Sequence, residues 1–141
     1  MAYNKNAVRM ISGTATFASG GDGDGTSTYN FKDAAGTAIK IPSGALILGG
    51  GCNVITAMTS GGGGTTCQIK VGSTNMTTAL GKAVYATNAG VNFDAVSNAA
   101  ATGLYLTADA NLTWTIASAA LTAGVFHAYV IYVMAATATT I

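Results

Sequence analysis

Apolar and polar residues alternate along much of this chain, and glycine clusters rather than charged stretches interrupt the alternation. Alternation at every second position is the mark of a strand with one covered face. From Val8 to Phe17 it sets Met10, Thr14 and Thr16 against Arg9, Ile11, Ala15 and Phe17. Further short strands are expected over Thr28 to Phe31 and Thr37 to Ile41, separated by an Asp33-Ala34-Ala35-Gly36 turn. Pro42-Ser43-Gly44 reads as a second turn, since proline presets one dihedral and glycine accepts a positive one. The apolar run from Ala45 to Met58 follows, holding the triple glycine 49–51, and then Gly61 to Gly64 break the chain before Thr66 to Val71. Apolar positions on both sides of that break predict a β-hairpin folded about Gly62.

Beyond the hairpin, Ala83 to Ala86 reads as strand and Thr87 to Ala101 as a long connection anchored by Phe93, with one helical turn from Val96 to Ala101. Gly103 to Thr107 and Leu112 to Ile116 flank a polar tetrapeptide and predict a second hairpin. Leu121 to Gly124 reads as a turn. Val125 to Met134 carries apolar residues on both parities, which predicts a strand covered on both faces. Ser19 to Gly25 is a loop by composition. About eight strands with no fixed repeat imply an all-β fold in a single domain, residues 1–141. An antiparallel β-sandwich is expected, most naturally an eight-stranded jelly roll.

Composition changes this picture in one respect. The chain has 141 residues, half of them apolar, yet only 8% are charged, with six Lys or Arg, five Asp and no Glu. An ordinary soluble domain carries roughly 25% charge. Of the apolar residues 27 are alanine, so the supply for a core is normal and the surface must be covered by Thr, Ser, Asn, Gly and Ala. Such a coat, at a formal charge of +1, suits a subunit that hides surface in a larger assembly. It offers no polybasic face for nucleic acid and no acidic tail. Met1 to Met10 shows no export signal, the run from Val125 to Ala136 is too short to span a bilayer, and synthesis in a cytosol is expected. In the predicted hairpin Cys52 and Cys67 are offset by five residues, about 17 Å at strand rise, so two free thiols are expected.

The turns and strands from residue 38 to 134 resemble small virion proteins of tailed bacteriophages. The features are an Ile41-Pro42-Ser43-Gly44-Ala45 turn, a strand, a Gly-rich hairpin ending in Val71-Gly72, a Thr-rich strand, and a closing strand from Thr122 to Val133. The resemblance implies a β-sandwich or jelly-roll subunit that decorates, cements or extends a capsid or tail. As expectations it brings a homo-oligomer, a trimer first of all, with the major capsid protein as partner, no cofactor, no nucleic acid and no membrane. It also places the protein in the virion after assembly in the host cytoplasm. The basic arm, residues 1–11, is read as a contact segment. Tyr3, Lys5, Arg9, His127, Tyr129 and Tyr132 are the candidate interface residues.

Other chemistry is weaker. Asp22-Gly23-Asp24-Gly25 has carboxylates spaced as in a calcium loop but lacks a closing Glu, which favours a solvated turn. His127, the single histidine, has no cysteine or carboxylate near it in sequence, which favours a packed or interfacial ring. Trp114, Tyr105, Tyr129 and Tyr132 suit either a sugar-stacking platform or core packing, and packing is favoured. A tail, knob or fibre component touching glycan is the alternative reading, and a cellular carbohydrate-binding module a more distant one. No nucleophile motif or triad spacing supports an enzyme.

Overall fold

A computed structural model describes residues 7–18, 27–93 and 104–134. The predicted loop at 19–25, the helical turn at 96–101, Tyr3, Lys5 and the Asp22/Asp24 pair lie wholly or largely outside those residues. The described strands are β1 (Arg9–Ala18), β2 (Thr28–Asn30), β3 (Lys40–Ile41), β4 (Ala45–Ser60), β5 (Thr66–Val71), β6 (Thr74–Asn75), β7 (Leu80–Gly81), β8 (Gly90–Asn92), β9 (Leu104–Tyr105), β10 (Ala110–Ala117) and β11 (Leu121–Met134). Every pairing is antiparallel.

These strands form two sheets. One runs β1-β11-β4-β8, with β9 also on β4; the other runs β2-β10-β5-β6, with β3 also on β10 and β7 on β5. Because β2 and β3, β6 and β7, and β8 and β9 share positions, the strands fill four places in each sheet. The chain crosses between the sheets repeatedly, placing its first strand beside its last and its second beside the last but one. That strand order is the wrap of a jelly roll.

The pattern mistook four connections. Neither β4 and β5 nor β9 and β10 form a hairpin, because the members of each pair lie in opposite sheets. Periodicity reports which face is covered and is silent on which strand lies alongside. The glycine run 61–64 is a crossover held by its own bonds. Ser60 Oγ and Thr65 Oγ1 lie 2.6 Å apart, the Gly62 N–H donates to Ser60 Oγ, and Lys82 Nζ donates to the Gly62 carbonyl. Leu121 to Gly124 is not a turn but the start of β11, with register shifts around Ala123. Ala83 to Ala86 is not strand: a 3-10 turn at Lys82–Val84 delivers Tyr85 into the core. The connection after Thr87 does use Phe93 as its anchor, and it contains β8.

The Pro42–Ala45 turn forms as expected, with Ala45 N–H donating to the Pro42 carbonyl and Gly44 at φ +83°. Both thiols are free and buried, though for a different reason than the register predicted. Cys52 lies beside Ala128 in the five-stranded sheet and Cys67 beside Ile116 in the other.

The core between the sheets is organised on Trp114. Its ring stacks on Phe126 across the sandwich at 4.3 Å and 24°, and Tyr85, Phe17 and Phe31 meet it at 4.9, 5.7 and 6.0 Å. Offset and tilted aromatic pairs of this kind add to the large area that each ring buries.

Candidate functional site

The outer face of the five-stranded sheet is the most distinctive surface. On β11 the inward parity is Phe126, Ala128, Val130 and Tyr132, all buried, and the outward parity is Val125, His127, Tyr129, Ile131 and Val133, all half-buried. The outward residues lie between Thr16, Thr14, Ser12 and Met10 of β1 and Thr56, Asn53, Gly51, Gly49 and Leu46 of β4. The covering predicted for both faces of this strand is therefore complete only on the inside. Two irregularities in β4 enrich the face. Leu48 and Ile55 have no partner in the β11 register and stand exposed as bulged residues, where a bulge re-aims a side chain.

The triple glycine shapes both sides of the same strand. A Cβ on Gly51 would sit 3.0 Å from Tyr129 Oη and 3.2 Å from its Cζ, so the Tyr129 ring lies down over bare backbone. A Cβ on Gly50 would strike the Phe93 ring at 2.6 Å on the inner side and the Tyr129 carbonyl. The spacing of glycine under aromatic residues is visible in the sequence only once the partner strand is known.

Electrostatically the face is bare. Among the strands of this sheet Arg9 is the sole charged residue. It pairs with Tyr132 at the end of β1 and is exposed. His127 Nδ1 lies 3.2 Å from Thr14 Oγ1, with Asn53 opposite on β4. By strand spacing, four strands over about eight residues cover on the order of 500 Å2. That is more than half of the roughly 800 Å2 that each partner buries in a standard interface.

The candidate interface residues divide accordingly. His127 and Tyr129 are on this face, whereas Tyr132 points inward at 7% exposure and Arg9, its register partner, shares that inward parity at the exposed end of β1. The aromatic platform is not assembled. Trp114 is buried, Tyr132 faces the core, Tyr129 lies on the outer face, and Tyr105, at 52% exposure, stands on β9. Exposed Leu48 and Ile55 were missed because a bulge leaves no trace in strict alternation.

Reactive chemistry is thin. Burial pushes both thiols up to about 12, so neither is a nucleophile at neutral pH. The buried Trp114 indole hydrogen-bonds no oxygen or nitrogen acceptor. It neighbours the Cys67 sulfur, a weak acceptor whose thiolate it would favour against the larger effect of burial. Among the described residues no three His, Cys, Asp or Glu gather as metal ligands, and no helix is long and apolar enough to cross a membrane. A groove of about 240 Å3 beside Thr14 to Phe17 holds Lys32 and Asp33, and another of about 280 Å3 beside Tyr105 holds Asp109. Asp109 is already engaged, accepting from the Ser43 N–H at 2.9 Å.

No protein-family model matches this chain, and no curated protein matches it. Two solved structures do. A chain of the cyanophage Pam1 capsid asymmetric unit superposes with a TM-score of 0.59 at 14% identity, covering 95% of this chain and 89% of that one. A chain of the acid-stable capsid of Helicobacter pylori bacteriophage KHP30 superposes with a TM-score of 0.53 at 12% identity, covering 90% and 93%. The fold of this chain is therefore shared, over nearly its whole length, with chains found in two phage capsids.

Proposed function

We propose that this protein is a non-enzymatic structural subunit of a phage virion, acting on the head as a decoration or cement subunit. The observation that carries the proposal is the uncharged outer face of the five-stranded sheet, with Met10, Leu48 and Ile55 exposed on it, on a fold shared with chains of two phage capsids. A sheet face of that kind stays hydrated poorly by itself and gains free energy when another protein covers it. The face lies against the capsid surface, and the polar face of the second sheet stays in water. A homo-oligomer, with a trimer expected from the resemblance, then bridges neighbouring capsomers of the major capsid protein. Each weak contact is multiplied by the others in the same oligomer.

The test is to purify particles and locate the protein by electron microscopy, then strip it and heat the particles. A position on the head and a lower bursting temperature after stripping support the cement role. Stripped particles as robust as intact ones overturn that role, and density confined to the tail turns the assignment to a tail, knob or fibre component.

A further inference from the structure

The edges of the two sheets are unequal. β2, β3, β6, β7, β8 and β9, which take the other edge positions, are each two or three residues long. Short edges are one way proteins prevent unwanted strand pairing. β1 is the exception, an edge strand of ten residues. Part of its open side is closed: the Thr14 N–H donates to the Lys32 carbonyl at 2.8 Å and the Lys32 N–H donates to the Thr14 carbonyl at 3.0 Å. Those bonds show that Thr14 aims its backbone groups away from β11. By the period of two, Ser12, Met10 and Val8 aim theirs the same way. No described residue bonds to them on that side. Met10 and Val8 are also the most exposed large apolar side chains among the described residues, at 68% and 65%.

We infer that the Val8–Ser12 edge of β1 is a strand-pairing site for the same edge of a second copy, joined antiparallel about a twofold axis through Met10. The open run is symmetric about Met10, so this register matches outward groups to outward groups: Val8 to Ser12 of the partner subunit, and Met10 to the partner's Met10. About six backbone hydrogen bonds result. Arg9, the charged residue of this edge, falls opposite the partner's Ile11 rather than its own copy. With a formal charge of +1 per chain, repulsion between copies is slight. The pairing covers Met10 and Val8 and extends one five-stranded sheet into its neighbour. Isologous twofold contacts are the commonest way identical chains associate. This join needs no capsid, so it stands or falls independently of the proposed head location; within a shell it would tie one oligomer to the next.

The experiment uses the purified full chain without particles. Met10→Cys places two thiols on facing residues about 5.5 Å apart at Cα, within disulfide range, while the native Cys52 and Cys67 remain buried. Mild oxidation should link Met10→Cys into covalent pairs and leave Thr115→Cys, on the outer face of the other sheet, unlinked. Native mass of the unmodified chain should be a multiple of two protomers and should halve in Met10→Lys. A monomer at every concentration overturns the inference. So does an oligomer whose mass Met10→Lys leaves unchanged, or cross-linking of Met10→Cys no faster than of Thr115→Cys.

Discussion

The outer faces of the two sheets, built on opposite sides of one core, differ in how much apolar surface they expose. The six-stranded sheet presents Thr28, Asn30, Gln68, Lys70, Asn111 and Thr115, and ties them across strands. Thr28 Oγ1 meets Thr115 Oγ1 at 2.9 Å, Asn111 Nδ2 donates to Asn30 Oδ1 at 3.3 Å, and Gln68 Nε2 donates to the Thr77 carbonyl at 2.9 Å. The five-stranded sheet sets Met10, Leu48, Ile55, Tyr129 and Ile131 among Ser12, Thr14, Asn53 and His127, and its outward parity carries no Lys, Arg, Asp or Glu among the described residues. Cross-strand polar pairs stabilise a sheet that stays in water. Apolar pairs on an outward face gain little until something covers them. That difference is what the proposed function rests on, with the second sheet in water and the first against a protein partner.

The largest expected effect tests what both faces share. Trp114→Ala removes the ring on which Phe126 stacks and should lower unfolding stability by about 3–5 kcal/mol, read by denaturant titration. Tyr105→Ala, at the surface, should change it by no more than about 0.5 kcal/mol. If the two cost the same, the ring cluster does not organise the core.

Next comes the backbone under the apolar face. Gly51→Ala should displace the Tyr129 ring and destabilise by about 1–3 kcal/mol. Gly63→Ala, where an added Cβ meets nothing, should be near neutral. Equal effects would mean that Tyr129 does not depend on the bare strand beneath it.

The faces themselves are compared by Ile131→Lys and Thr115→Lys. The first should weaken association with particles at least tenfold, about 1.4 kcal/mol, with unfolding stability nearly unchanged. The second should leave association intact. Identical binding isotherms for the two variants would remove the functional distinction between the faces.

Alkaline pH gives the most gradual effect. Each thiol rises from 9.0 to about 12 because burial disfavours the thiolate. The neutral thiol is thus the form the folded state keeps, and its stabilising contribution is complete below 9. It is lost as pH climbs from 9 towards 12, by at most about 1.4 kcal/mol per pH unit for each thiol. The Cys52→Ala, Cys67→Ala double variant should therefore lose stability less steeply over that window. A slope equal to that of the unmodified chain would show that the thiols already titrate normally.

Much of the architecture was legible in the residues alone. The parity of β1, the Pro42 and Asp33 turns, the Phe93 anchor and the all-β sandwich follow from local preferences that act within a few residues. Of the candidate interface, His127 and Tyr129 were readable as lying on one strand face. That Tyr132 faces the core was not readable, because apolar residues occupy both parities of that strand and only its pairing partners decide which parity faces inward.

What the sequence by itself determined was a strand-rich chain with little charge, turns at defined points and enough large apolar residues for one core. Composition and short-range periodicity carry that information. Strand neighbours, the crossovers at Gly61–Gly64 and Ala108–Asp109, the bulges that turn Leu48 and Ile55 outward and the ring laid over Gly51 were decided only by the tertiary structure. Each depends on residues far apart in the chain meeting across a sheet, and the free energy of that meeting is written in no single stretch.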